Sequence, residues 1–475
     1  MRLYEISKEA REQGLSDVEI NSVTDDTREV KRGDIFVCIE GEKFDGHSKA
    51  AEMLEKGAAA VAVSHDMGLK QQIIVPNTRK YLAQLASAYY GNPTEKLKLV
   101  AATGTNGKST IINVIRFMLE EMGHKTGSVG TIGYDVCGKV YEAHLTTPRQ
   151  MDLYRYFAEM VENGAEYCVM EASSQALAQY RICSEQFECS VFTNLTQDHL
   201  DYHGTMENYY QAKKMLFDMS KRAVVNVDGD YGKRLAAELE IPTVTYSTEG
   251  KADYFAAGIK SRNSGISYWL SSKADEKAYH IDFRMPGRFN VANSMAAVAV
   301  CGQLGFDIED CVKAVQKCTG VRGRSEVVYD GDFTVICDYA HTEDALRKIL
   351  STIRGFASHR IICLFGAAGE RDDTKRKAMG ETVAELADYA VVTSDNPRFE
   401  DPVKIIDQVM EGILLHDIPY SVYVDRLEAI KFALSKAEKG DVVVLCGKGH
   451  ETYQVIGNDY QDFDEHKIVA EIMNK

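Results

Sequence analysis

The chain has 475 residues, enough for roughly three domains. Its 71 acidic residues against 55 basic ones, a formal net charge of −16, argue against nucleic acid or an anionic membrane as the main ligand. The 11 cysteines include no Cys-x-x-Cys pair and are expected as reduced thiols, with Cys183 and Cys189 as ligands the less favoured reading. In chain order, "MRLYEISKEAREQG" has no signal-peptide apolar region. No apolar run approaches the ~20 residues of a membrane span. A cytoplasmic protein with no membrane insertion is expected. Up to about Tyr90, short strands and helices alternate, as in "GDIFVCI" and "AAEMLEKGAAAVAV". The turn-rich "YYGNPTEKLK", Tyr89 to Lys98, reads as a join between domains.

"KLKLVAAT" then reads as a buried strand, and "STIINVIRFMLEEMG" has helical spacing with a stop at Gly123. Between them, Gly104-Thr105-Asn106-Gly107-Lys108-Ser109-Thr110 resembles a phosphate-binding loop. Strand, glycine loop and helix start place backbone N–H groups and a positive helix end at one point. Lys108 would reach the β/γ-phosphates of a nucleotide and Ser109 would hold Mg²⁺. The common pattern places a glycine where Ala102 stands. The alternative is a plain glycine turn before a surface helix.

Farther along, "CVM" leads into "EASSQ" and "SVFTNL" into "TQDHLDYHG". A second join falls near "TGVRGRSE", Thr319 to Glu326. After it, four apolar runs, "FTVICDY", "RIICLFG", "YAVVTS" and "DVVVLCG", alternate with helical segments, which predicts a parallel sheet. Polar clusters "DYAH", "GAAGERD", "DNPR" and "GKGHE" follow these four runs. Ligands of open α/β sheets bind beyond the carboxyl ends of the strands. Any one cluster would serve as a turn; together they predict a functional crevice.

These motifs, in this order, resemble the Mur ligases of peptidoglycan synthesis. The resemblance covers nearly the whole chain. It rests on "DDTREVKRGDIFVCIEG", "TGTNGKS", "TTP", "EASSQAL", "FTNLTQDHLDYHG", "AKKMLF", "GRFNVANSMAA", "GRSE", "DYAHT", "GERD", "DNPR" and "GKGHE". The family's loop does without the earlier glycine, so Ala102 is normal there. The implied fold is α/β in three domains. They are an N-terminal UDP-binding α/β domain (1–95), a central ATP-binding phosphate-loop domain (96–322) and a C-terminal Rossmann-like domain (323–475) for ATP and amino acid. The implied activity is ATP-dependent amide formation, adding the third residue of the peptide to UDP-MurNAc-L-Ala-D-Glu. The implied partners are these small molecules, with a monomer expected.

A carboxylate must be activated before an amine attacks it, and bringing it to a polyphosphate sets anion against anion. Mg²⁺, Lys108 and helix ends relieve this. By resemblance, Glu171 and His199 hold metal with Ser109. Lys213 matches the lysine that the family carbamylates with CO₂; on its residues alone, Lys213 beside Lys214 reads as a solvated helix face. Asn290 and Asn293 share one helix face and, by resemblance, lie near adenine; capping is the plainer role. Arg324 and Asp338 match residues near the nucleotide, and His341 follows closely. For the sugar nucleotide the resemblance carries over Asp25, Thr27, Glu42, Lys43 and Phe44. For the muramoyl-dipeptide end it carries over Thr146, Thr147, Ser173, Gln179 and Arg181. Gln175, Glu343 and Ala368 depart from residues common in the family (His, Pro and Gly).

The third residue of the peptide is read from "DNPR". meso-Diaminopimelate is lysine with an extra distal carboxylate, and a pocket for it needs a fixed bidentate cation. Arg398, after Asp395, Asn396 and Pro397, supplies one. Arg371 is assigned the other carboxylate, and Glu451 with Gly447 the distal ammonium. Diaminopimelate is therefore expected over lysine. Two further alternatives are an amide ligase of the folylpolyglutamate or cyanophycin synthetase type, and a nucleotide-binding module without ligation.

Overall fold

The computed structural model describes residues 1–41, 44–182, 187–273, 276–370 and 373–474. It divides into two compact units, one of residues 1–246 with 296–308, the other of 247–295 with 309–475. Among the described residues no helix is long and apolar enough to cross a membrane, and every cysteine is free.

The first unit holds two sheets. The smaller is parallel and runs in chain order: β1 (Val23–Thr24), β2 (Ile35–Val37), β3 (Ala60–Val63) and β4 (Gln72–Ile74). β2 and β3 are buried throughout, as expected of short apolar strands covered on both faces. The helix Thr78–Tyr89 packs on them through Tyr81, Leu82 and Leu85, and Asn77 caps it by accepting from Lys80 N.

The larger sheet is built around β5 (Lys98–Thr103). The other strands are β6 (Thr126–Gly130), β7 (Gly133–Val136), β8 (Lys139–Tyr141), β9 (Tyr167–Glu171), β10 (Phe187–Phe192), β11 (Ala223–Asn226) and β12 (Thr243–Ser247). Within this unit the order is β12-β11-β10-β5-β9-β6-β7-β8, parallel except for β7 and β8. β9 and β10 flank β5, so three strand ends meet at the loop that follows β5.

The second unit contains an antiparallel meander, β13 (Tyr254–Arg262), β14 (Gly265–Ser272) and β15 (Ala278–Phe283). It also contains a six-stranded sheet of β16 (Glu326–Asp330), β17 (Thr334–Asp338), β18 (Ile361–Phe365), β19 (Tyr389–Thr393), β20 (Tyr420–Tyr423) and β21 (Val442–Cys446). Its order is β16-β17-β21-β18-β19-β20, with β16 alone antiparallel. The four expected strands are β17, β18, β19 and β21. The described residues of all four polar clusters therefore lie at one edge, the carboxyl ends of a parallel sheet. At Glu343, Thr342 caps the helix Glu343–Arg354, and an acid in a first helical turn is favoured by the dipole. Gln175 lies in the short helix Ser174–Ala178, and Ala368 O accepts from Arg376 at 3.1 Å.

Candidate active site

Ala102 is a fully buried strand residue, aligned with Glu171 on one side and Val191 on the other. The loop proper begins after it, which is why no glycine is needed there. The demanding glycine is Gly104, at φ 148°, where a Cβ would lie 1.9 Å from Thr193 Oγ1. The residues after β10 fasten the loop. Thr105 N donates to Asn194 O at 3.0 Å, Asn106 N to Asn194 Oδ1 at 3.0 Å, and Thr193 Oγ1 to Asn106 O at 2.6 Å. Gly107, at φ 87°, opens the helix Lys108–Glu121, with Ser109 and Thr110 in its first turn.

Lys108 Nζ donates to Gly104 O and Thr105 O, each at 2.9 Å. Lys213, on the helix Met206–Asp218, is 1 % exposed and donates to the same Gly104 O at 2.8 Å. Burial, with Lys108 beside it, holds the Lys213 ammonium well below the lysine range. Lys214 is turned away and pairs with Glu238 at 2.6 Å. The Tyr209 ring lies 4.5 Å from Lys213 Nζ, its hydroxyl 3.3 Å from Thr105 Oγ1, and the exposed His199 ring stands edge-on to it at 6.1 Å. Glu171, the last residue of β9, is buried and accepts from Thr131 N at 2.8 Å and Thr131 Oγ1 at 3.3 Å. A Cβ on Gly130 would lie 2.6 Å from Glu171 Oε1. The Glu171 carboxylate has no ion-pair partner among the described residues. A buried carboxylate of this kind is a suitable oxygen ligand for a hard divalent cation.

A cavity of about 290 Å³ opens in the same unit, lined by Asp25, Arg79, Arg149, Gln179 and Arg181 among others. Three arginines facing one cavity suit an anionic ligand. Burial, with Arg149 and Arg79 nearby, pushes the Arg181 guanidinium below its usual value. Arg181 donates to Thr147 O at 2.7 Å and to Gln179 Oε1 at 2.8 Å. Thr147 Oγ1 donates to Glu171 O at 2.8 Å and accepts from Ser173 N at 3.2 Å; Thr146 and Thr131 hydroxyls are 3.1 Å apart. A polar path thus joins the cavity to Glu171. Arg79 and Arg149 escaped the sequence reading, although Arg149 directly follows "TTP". Thr27 and Phe44 are not among the described lining residues, and Glu42 and Lys43 lie outside the described residues.

In the second unit, Asn290 and Asn293 are buried and bonded to each other, Nδ2 of Asn293 to Oδ1 of Asn290 at 2.8 Å; Asn290 also donates to Pro286 O at 2.8 Å. Asp338 accepts from Ser325 N at 2.7 Å and Ala340 N at 2.8 Å; burial pushes its carboxyl up while Arg324 pulls it down. Arg324 lies over the Tyr339 ring at 5.2 Å, and the rings of His341 and His450 pack against Tyr339 at 4.6 and 4.7 Å.

The ends of β19 and β21 meet through Asn396, which donates to Glu451 Oε2 at 3.0 Å. Gly447 takes φ 115°, and a Cβ there would lie 2.7 Å from Asp395 Oδ2. Arg398, after Pro397, takes φ 54°; its N–H donates to Val455 O at 3.1 Å and its carbonyl accepts from Gly457 N at 2.7 Å. Its Nε is buried without a hydrogen-bond partner among the described residues. Arg371 lies outside the described residues. Lys448, fully buried at the centre of this cluster, was missed in sequence although "GKGHE" contains it.

The fold and the first unit's site define a phosphate-loop enzyme with an arginine-lined cavity. Residues 19–90 match the model "Mur ligase family, catalytic domain", 102–301 "Mur ligase middle domain" and 323–449 "Mur ligase, glutamate ligase domain". The chain belongs to the Mur ligase family. It is 41 % identical over 468 residues to UDP-N-acetylmuramoyl-L-alanyl-D-glutamate–2,6-diaminopimelate ligase 1 of Clostridium acetobutylicum, covering 97 % of this chain and 96 % of that one. It is 41 % identical over 480 residues to the ligase of the same description, without the final numeral, from Caldanaerobacter subterraneus subsp. tengcongensis, covering 100 % and 99 %. A solved structure of a UDP-N-acetylmuramoyl-L-alanyl-D-glutamate–2,6-diaminopimelate ligase superposes with TM-score 0.71 at 31 % identity, covering 96 % of this chain and 95 % of that one.

Proposed function

We propose that this chain joins meso-diaminopimelate to UDP-MurNAc-L-Ala-D-Glu, converting ATP to ADP and phosphate. What carries the reading is full-length identity of 41 % to a ligase named for these two substrates. The lysine alternative is disfavoured by Arg398, whose Nε is buried with no hydrogen-bond partner among the described residues and suits a carboxylate that lysine lacks.

The phosphate loop Gly104–Thr110 cradles the nucleotide phosphates, with Lys108 on the β/γ-phosphates. Asn290, Asn293, Arg324 and Asp338 serve the rest of the nucleotide. Asp25, Thr27, Glu42, Lys43 and Phe44 serve the uridine end, and Thr146, Thr147, Ser173, Gln179 and Arg181 the muramoyl dipeptide, joined by Arg79 and Arg149. The D-glutamyl carboxylate takes the γ-phosphoryl group, and the amine of diaminopimelate displaces phosphate from the acyl phosphate, leaving an amide. Asp395, Asn396, Arg398, Gly447 and Glu451 orient that amine by gripping the far end of the amino acid, and Arg371 holds its other carboxylate. Ser109, Glu171, His199 and Lys213 would hold Mg²⁺, which supplies charge neutralisation for the meeting of two anions. Lys213 is carbamylated in this reading, because a buried lysine held below its usual range presents a neutral amine, whose nitrogen attacks CO₂ and gives up a proton as the carbamate forms. The domains divide at 1–95, 96–322 and 323–475, and the enzyme is a cytoplasmic monomer.

The test is phosphate release from purified protein with ATP, Mg²⁺ and UDP-MurNAc-L-Ala-D-Glu across a panel of amino acids. Diaminopimelate should be used in preference to lysine; preference for lysine, or no release with either, overturns the assignment.

A further inference from the structure

Lys448 is fully buried between two acids, at the loop that follows β21. Its Nζ donates to Asn396 Oδ1 at 2.9 Å and to Tyr453 O at 2.8 Å, and lies 3.3 Å from both Glu451 Oε2 and Asp395 Oδ1. A buried cation is retained only with partners of this kind. Two of its three ammonium protons go to fixed oxygens, one on the β19 loop and one on the backbone past Glu451. The cation is therefore pinned in place, and Glu451 is held against a rigid charge rather than a flexible one.

Glu451 needs such a charge. Burial pushes its carboxyl up, Asp395 pushes the same way, and Lys448 and the Asn396 amide pull it back. Those three residues are the groups acting on it from both packed loops. Arg426, fully buried, donates to Cys446 O at 2.8 Å and to Ser394 O at 3.4 Å, is ion-paired with Glu465 at 2.8 Å, and interacts electrostatically with Asp395. Glu451 has no second cation among the described residues.

We propose that Lys448 is a positioning residue of the amino-acid site: it keeps Glu451 ionised and aimed, so that Glu451 can receive the distal ammonium of the incoming amino acid. The proposal rests on the diaminopimelate reading above. Lys448 itself touches no substrate in this scheme. Its effect on the distal ammonium passes through Glu451, and that gives the role a signature a merely structural lysine would lack.

The test compares wild type, Lys448→Met, Glu451→Gln and the double variant, with KM measured separately for diaminopimelate, ATP and UDP-MurNAc-L-Ala-D-Glu. Lys448→Met should raise KM for diaminopimelate by about tenfold or more near neutral pH, since an unpaired buried carboxyl protonates rather than stay charged. The other two KM values should stay within about twofold, and kcat should change less than KM. The defect should shrink as pH rises from about 6 to about 9, as Glu451 regains its charge. Equal losses for all three substrates, or a diaminopimelate defect independent of pH, overturn the proposal. If Lys448→Met does not fold, the double variant decides, because it leaves no unpaired buried acid at Glu451. Its KM for diaminopimelate should match Glu451→Gln within about threefold; a further tenfold loss would show that Lys448 acts elsewhere. Wild type that ignores diaminopimelate, or Glu451→Gln with an unchanged KM, instead removes the underlying site assignment.

Discussion

Lys108 and Lys213 donate to one and the same acceptor, the carbonyl oxygen of Gly104, at 2.9 and 2.8 Å. Two ammonium groups this close, one of them 1 % exposed, oppose each other's charge, and burial drives Lys213 toward the neutral amine. Carbamylation would turn that opposition into attraction by making Lys213 an anion beside Lys108. Lys213→Ala should therefore be nearly inactive, losing on the order of 10²-fold or more in kcat. A short carboxylic acid at high concentration should restore part of the activity, because it supplies the missing oxygens. Lys214→Ala, which breaks only a half-exposed pair with Glu238, should stay close to wild type. Steady-state rates with and without the added acid check this, and full activity in Lys213→Ala would remove the carbamate from the mechanism.

Gly104 makes a second point about the loop. An alanine there would set its Cβ 1.9 Å from Thr193 Oγ1 and hold a backbone φ of 148° that side chains avoid. Strain of this kind costs about 1–3 kcal/mol before any repacking. Gly104→Ala should lower the melting temperature and abolish ATP-dependent turnover. Thr193→Ala in the same chain should recover part of the melting temperature by deleting the clashing hydroxyl. Calorimetry of the single and double variants tests the geometry, and an unshifted melting point in Gly104→Ala would contradict it.

The difference between Gly104 and Ala102 shows what was legible in sequence. The loop's outline is local, so "TGTNGKS" between an apolar run and a helical period was enough to place it. The glycine that matters is set by a neighbour 89 positions away in the chain, Thr193, and spacing does not carry that information. β17, β18, β19 and β21 were legible because buried parallel strands read as unbroken apolar runs. β20 was not: it lies at the sheet edge, and "YSVY" alternates exposed with half-buried residues. β13 was missed because it is mostly exposed or half-buried. Among site residues, Arg79, Arg149 and Lys448 went unread because a lone basic residue looks like solvated surface until the fold shows what it faces.

His450 offers a test by pH. Burial, then the charges of Arg324, Arg322 and His341, lower its imidazole from 6.5 to about 4. Between those values the unfolded chain binds the proton and the folded protein does not. Its contribution is therefore complete above pH 6.5 and declines as pH falls toward 4, by at most about 3 kcal/mol at ~1.4 kcal/mol per unit. His450→Gln should flatten the acid side of the stability curve while changing stability little at neutral pH. Urea midpoints at about pH 7 and about pH 5 read the slope; an unchanged slope in the variant would mean that other groups set the acid limit.

Arg398 offers the test of the amino acid. Its backbone is fixed at φ 54° and tied on both sides, by its N–H to Val455 O and by its carbonyl to Gly457 N. Its side chain thus leaves a rigid turn, and its Nε is buried with no acceptor among the described residues. A guanidinium held this way suits a carboxylate of the ligand, and diaminopimelate has one that lysine lacks. Truncating one partner of a desolvated charge pair costs about 2–5 kcal/mol, which is roughly 30-fold to several-thousand-fold in kcat/KM. Arg398→Ala should lose that much with meso-diaminopimelate. With lysine, which brings no carboxylate to this arginine, activity should start low and fall little. Measuring both substrates in both proteins separates recognition from misfolding, since damage to the fold would depress the two rates together. Unchanged diaminopimelate kinetics in Arg398→Ala would reduce "DNPR" to a turn and return the choice of amino acid to other residues.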